Sequence, residues 1–269
     1  MNDSVFGALA PCFKNLKLDM TPEELAVLSS TENFSPQQLA AISRVIEYLD
    51  EKKKYTTVST LLRLSKLPLK SPKTFENFDF STVKGKNIEK LQSLPSLAPI
   101  YAHKNLAFIG PAGTGKTHLA QAFGYACCQN CLKTYFIKMT ELRDKFNQAR
   151  KTGKESSVLN GLVRPSCLII DEVGHCDFDK ENTRLFFDLI DRRYNKEGSF
   201  NIVFTSNKNP LLWRENFADD DSLLCSLDRI FDEAIVFTFQ GESYRGRKTE
   251  HISLKTGKVS SPETSENQI

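Results

Sequence analysis

A chain of 269 residues, 40% hydrophobic and 26% charged, has room for one α/β domain of ordinary size and a smaller companion. Its net charge of +3 is too mild to announce a polyanionic partner by itself, and no run approaches the roughly 18 apolar residues of a membrane-spanning helix. Seven cysteines, odd in number and scattered, fit free thiols in a reducing compartment better than a disulfide framework.

The opening residues lack the basic start and apolar core of a secretory signal, so a cytoplasmic location without membrane contact is expected. Residues 1–70 read as a helical region. Thr21-Pro22-Glu23-Glu24 is a helix start, with Thr21 as N-cap, proline in the first turn and Glu24 closing a capping box. Ser35-Pro36 opens a second helix whose Leu39, Ile42, Ile46 and Leu49 share a face and which runs into Lys52-Lys53-Lys54. From there to Lys73 the chain carries Arg63, Lys66 and Lys70 and no acid. Such a stretch is either a solvated face or a contact for DNA phosphates. Phe75, Phe78 and Phe80 follow, suited either to flank an adenine ring or to pack on the next domain, and Pro95 and Pro99 break the segment beyond.

From residue 105 apolar strands alternate with helical patterns, which predicts a mostly parallel sheet with helices on both faces. The strands are expected at 105–109, 133–138, 167–171, 201–206 and 234–239, and the helices near 116–129, 140–151, 181–196 and 221–230. This second domain would span 71–250, leaving 251–269 as a polar, mobile tail. Cys128-x-x-Cys131, beside Cys127, has metal-ligand spacing, but no second pair completes a four-ligand site, so core packing is expected there and at Cys176 after His175.

The chemistry concentrates at the ends of the strands. Gly110, Pro111, Ala112, Gly113, Thr114, Gly115, Lys116, Thr117 and His118 form a complete G-x-x-x-x-G-K-[ST] phosphate loop, entered by a strand and left by a helix. Its glycines let backbone N–H groups turn onto phosphate oxygens, Lys116 would reach the β- and γ-phosphates, and Thr117 would hold Mg²⁺. The strand Cys167–Ile170 delivers Asp171 and Glu172 at its end, the first suited to orient Mg²⁺ and the second to position and polarise water. That pairing favours ATP hydrolysis over transfer to a small acceptor, as a plain P-loop kinase would require. Asn207, after the strand 201–206, could hydrogen-bond the γ-phosphate or the water, and Arg229 in Leu-Asp-Arg could complete a neighbour's site as an arginine finger.

The phosphate loop with Gly-Lys-Thr-His-Leu-Ala, then Leu-Ile-Ile-Asp-Glu-Val-Gly, Thr-Ser-Asn, Leu-Asp-Arg and Gly241-Glu242-Ser243-Tyr244-Arg245, resembles the IstB/DnaC group of AAA+ ATPases. Within that group Leu185–Tyr194 and Gly-Glu-Ser-Tyr-Arg look most like the IstB branch, the ATP-binding helpers of insertion-sequence transposases. The resemblance is strong over residues 75–247 and loose before them. It implies a five-stranded parallel AAA+ sheet preceded by a small helical region, with Lys116 and Thr117 as the Walker A pair and Asp171 and Glu172 as the Walker B pair. It further implies Asn207 as first sensor, Arg229 as arginine finger and Arg245 as second sensor. The partners implied are ATP, Mg²⁺, DNA (duplex favoured), a transposase and further copies of the chain; the alternative is a helicase loader of the DnaC type. Beyond Lys52 to Lys73, the run Lys145, Arg150, Lys151 and Lys154 offers candidate DNA contacts.

Overall fold

The computed structural model describes residues 3–218, 220–241 and 243–244. Arg245 and the tail expected at 251–269 lie outside the described residues.

Both expected helix starts form as reciprocal caps. The Thr21 hydroxyl accepts from the Glu24 N–H at 3.2 Å while the Glu24 carboxylate accepts from the Thr21 N–H at 2.8 Å, and Ser35 and Gln38 repeat the exchange. They open α2 (Pro22–Thr31) and α3 (Pro36–Leu64). An additional helix, α1 (Asp3–Leu16), precedes them, and its Phe6, Leu9 and Phe13 close a small core with Leu25 of α2. Helix α3 does not stop at the lysine triplet: it continues as a 29-residue rod, since lysine is a good helix former and nothing interrupts the pattern before Ser65. Its expected apolar face is covered only in part; Leu39 and Ile46 lean on the small core, while Leu49 is 50% exposed. The rod is fastened at its end, where the Ser65 carbonyl accepts from the Phe136 N–H at 2.7 Å and Leu67 is buried.

Pro95 and Pro99 confine the next segment to short turns, including α4 (Ile88–Gln92) and α5 (Ala98–Tyr101). The alternating unit then runs β1 (Leu106–Ile109), α6 (Lys116–Gln129), β2 (Thr134–Lys138), α7 (Met139–Thr152), α8 (Glu155–Val163), β3 (Cys167–Val173), α9 (Lys180–Tyr194), β4 (Asn201–Ser206), α10 (Asp220–Phe231) and β5 (Ile235–Thr238). The strands lie in the order β2-β3-β4-β1-β5 and every pairing is parallel. Because strand side chains alternate, Ala107, Leu168 and Ile170 face one core with α7, α8 and α9, while Leu106, Phe108 and Ile169 face another with α6. This is the AAA+ arrangement, with β1 at the point where strand order reverses and a crevice opens beyond the strand ends.

Helix α8 was not expected from sequence; Gly153, left-handed at φ 61°, ends α7, and Leu159 and Leu162 then bury a short second face. Arg193 of α9 is 1% exposed, and its guanidinium donates to the carbonyls of Leu162, Val163, Pro165, Ser166 and Asn201. It thereby ties the end of α8 to the starts of β3 and β4, and burial lowers its pKa to about 10. Cys127 and Cys128 are fully buried as expected, but Cys131 is exposed and plays no part in the core. Among the described residues no group of His, Cys, Asp or Glu could hold a metal ion by itself, and no helix is long and apolar enough to cross a membrane.

Candidate functional site

A cavity of about 390 Å³ opens at the end of β1, between the start of α6 and the ends of β3 and β4. Gly113 and Gly115 are left-handed (φ 80° and 93°), conformations that nearly any side chain would strain. Side chains are also excluded by contact: a Cβ on Gly113 would collide with Ser243, and one on Gly115 would stand 2.9 Å from the Phe78 ring. Lys116 is 6% exposed, and its ammonium donates to the Pro111 carbonyl with the Thr114 hydroxyl 3.5 Å away. Thr114 donates to the same carbonyl at 2.9 Å.

Asp171 and Glu172 would point to opposite faces of a regular strand, so adjacent acids cannot serve one site without a break in register. The break is present. Ile170 pairs with Phe204 but Val173 pairs with Ser206, so β3 carries one extra residue, and Glu172 takes up a left-handed φ of 62°. Such a conformation costs on the order of 1–3 kcal/mol for a residue with a side chain. Thr205 of β4 locks the bulge: its hydroxyl donates to Asp171 Oδ1 at 2.6 Å and accepts from the Glu172 N–H at 2.9 Å. Thr117 donates to the same Asp171 oxygen at 2.9 Å. Asp171 is 1% exposed; burial raises its pKa, and these two hydroxyl bonds pull against that shift. A hydroxyl and a carboxylate side by side, both oxygen donors, suit a hard divalent cation such as Mg²⁺.

The Glu172 carboxylate is half exposed and lies 3.3 Å from the Lys138 ammonium at the end of β2. Asn207 lines the cavity as expected from sequence, and it is exposed there. Sequence reading missed Thr205, Lys138 and the bulge. Thr205 stands at the C-terminal end of β4, two residues before Asn207, where a hydroxyl can reach the acids at the end of β3; that position is the signal that could have found it.

Three other candidates have partners within the fold. His118 lines the cavity, and its ring Nε2 donates to the Thr74 carbonyl at 2.9 Å with Phe78 edge-on to it at 5.2 Å. Phe75 is buried in the core and cannot flank a ligand, whereas Phe78 and Phe80 pair edge-to-face at 4.9 Å. Arg150 is occupied, donating to Asp179 at 2.7 Å and to Asn182.

Arg229 is not brought to this cavity. It sits on α10 by the edge where the strands begin, paired with Asp191 at 3.1 Å and stacked over Phe187 at 5.3 Å. Ser243 and Tyr244 of the Gly-Glu-Ser-Tyr-Arg stretch do reach the phosphate loop: the Tyr244 N–H donates to the Gly113 carbonyl at 3.0 Å and its hydroxyl to the Thr82 carbonyl at 2.8 Å. Arg245, the remaining site residue expected from sequence, lies outside the described residues.

Residues 13–252 match the family model described as IstB-like ATP binding protein. The chain is 35% identical over 224 residues to a protein of Geobacillus stearothermophilus named for ATP binding in insertion sequence IS5376, covering 83% of this chain and 86% of that protein. It is 30% identical over 231 residues to the counterpart in insertion sequence IS232 of Bacillus thuringiensis, covering 86% of this chain and 90% of that one. Among solved structures, AMPPCP-bound DnaA from Aquifex aeolicus superposes with a TM-score of 0.52 at 19% identity, over 65% of this chain and 52% of that one.

Proposed function

The chain belongs to the IstB-like ATP-binding protein family, and from that premise we propose that it hydrolyses ATP while assembled on duplex DNA, in the service of a transposase. The observation that carries the reading is the convergence on one cavity of Lys116, Thr117, Glu172 and Asn207, with Asp171 hydrogen-bonded to Thr117 and the two acids set by a strand bulge.

ATP enters as substrate along the phosphate loop. Lys116 exchanges its bond to the Pro111 carbonyl for phosphate oxygens, and the backbone N–H groups around Gly113 and Gly115 line the same path. Thr117 and Asp171 would hold Mg²⁺, which would offset the negative charge of the phosphates. Thr205 keeps Asp171 in place through the 2.6 Å bond and fixes the backbone of Glu172. Glu172 orients a water and draws its proton as it attacks; for this its carboxylate leaves Lys138. Asn207 donates to the γ-phosphate or to that water.

Arg229, at the opposite edge of its own sheet, acts on the nucleotide of an adjacent copy, so the active form is an oligomer. Arg245 is retained as a second sensor on the strength of the family resemblance alone. The cationic run along α3 and the residues Lys145, Lys151 and Lys154 are the proposed DNA contacts, with Arg150 withdrawn to its carboxylate. The transposase enters because the relatives are named for insertion sequences.

Nucleotide binding and turnover in three proteins test the chemistry. Lys116→Ala is expected to lose ATP binding, and Glu172→Gln to bind ATP without hydrolysing it. Normal turnover by Glu172→Gln would overturn the assignment of the water-activating group.

A further inference from the structure

Lys73 belongs, by sequence, to the basic stretch read as a solvated face or a DNA contact. The fold puts it elsewhere. It lines the cavity that holds Gly115, Lys116 and Thr117, which Glu172 also lines. The backbone on both sides of it is fixed by one residue: Asn77 donates to the Pro72 carbonyl at 2.9 Å and accepts from the Thr74 N–H at 3.0 Å. The Thr74 carbonyl is in turn held by His118 of α6 at 2.9 Å, and Phe75 is buried next to it. His118 itself feels Lys73: burial lowers the pKa of the ring, the bond to Thr74 opposes the shift, and the charge of Lys73 adds to it.

A solvated lysine needs no such bracket. Immobilising the backbone of an exposed residue costs conformational entropy, on the order of 1–2 kcal/mol per residue. What the bracket achieves is to present a second cation to a cavity that already contains Lys116. A triphosphate carries more charge than one lysine and one divalent ion neutralise, so the second cation has a partner as soon as nucleotide enters.

The geometry points to Lys73 as a phosphate-binding residue of the nucleotide site, supplied by the segment that joins α3 to the sheet. This rests on the ATP site proposed above. It also makes that segment, pinned to α6 through His118 and continuous with α3, the part of the N-terminal region that meets the nucleotide directly.

The test is titration of a fluorescent ATP analogue into the full chain, wild type against Lys73→Ala, Lys73→Arg and Asn77→Ala. Loss of one charge-assisted contact to phosphate predicts about tenfold weaker binding for Lys73→Ala. Lys73→Arg should stay close to wild type, and Asn77→Ala should fall between, because the lysine remains but its placement is lost. Duplex affinity measured without nucleotide should be the same for Lys73→Ala and wild type. Unchanged nucleotide affinity in Lys73→Ala, or a loss confined to duplex binding, would overturn the inference and return Lys73 to the DNA-facing group. Lys116→Ala separates the two levels: if it binds nucleotide normally, the site itself is wrong, whereas a silent Lys73→Ala beside an inactive Lys116→Ala removes only Lys73.

Discussion

Replacing Thr205 by valine keeps the shape of the side chain and removes only the hydroxyl. In the folded chain that hydroxyl donates to a carboxylate that is 1% exposed and accepts from the N–H of a residue in a left-handed conformation. A hydrogen bond to a charged group contributes about 1.5–3 kcal/mol, and the stranded Glu172 N–H adds about 1 kcal/mol. Thr205→Val should therefore lose about 2.5–4 kcal/mol, a large share of the roughly 5–15 kcal/mol that holds a typical domain together. Asp171, with one of its two restraining bonds gone, would move further above the ordinary carboxylate range, and the affinity for Mg²⁺-ATP should fall with it. The protein carries its own reporter, since its one tryptophan, Trp213, is fully buried and donates to the hydroxyl of Ser206, the next residue on β4. Urea titration followed by tryptophan fluorescence reads the loss, with Thr205→Ser as control because it keeps the hydroxyl. A Thr205→Val protein within about 0.5 kcal/mol of wild type, a shift typical of inert surface changes, would refute the bulge lock.

Lys138→Met frees the Glu172 carboxylate at little structural cost, because an ion pair this exposed contributes at most about 1 kcal/mol. Basal hydrolysis measured without DNA should rise while nucleotide affinity stays constant; a fall in turnover would mean that Lys138 aligns the carboxylate instead of restraining it. Arg193→Met leaves five buried carbonyls without their shared donor and should destabilise the chain by about 3 kcal/mol in urea, with nucleotide affinity of the folded protein preserved. Lys196, half-buried with its ammonium on the carbonyls of Arg164 and Pro165, has its pKa lowered to about 8. The native state then releases this proton before the unfolded chain does, so stability should rise from about pH 8 toward 10.5, and Lys196→Gln should flatten that part of a melting-temperature profile.

The strands were readable to within one or two residues because buried parallel strands are unbroken apolar runs, and α6 was readable at both ends because the phosphate loop sets its start. Lys116, Thr117, Glu172 and Asn207 line one cavity, and Asp171 is hydrogen-bonded to Thr117 beside it. What the sequence concealed depends on registers between distant segments. The bulge at Glu172 is visible only once β3 is paired with β4, and the Lys138–Glu172 contact only once β2 is paired with β3. Lys73 reads as one cation among several until Asn77 and His118 fix where it lies. Arg193, inside a charged Arg-Arg pair, reads as surface, and its burial follows from carbonyls contributed by three other elements. The end of α3 at Leu64 was not legible, because no proline or glycine marks it between the lysine triplet and Ser65.

Light scattering after size exclusion, on Glu172→Gln with ATP and Mg²⁺, tests the central claim most directly. A large assembly that forms with ATP and duplex DNA, and not with ADP or with either component alone, is the predicted result. Assembly on single strands in preference to duplex, or none on DNA at all, would contradict the account.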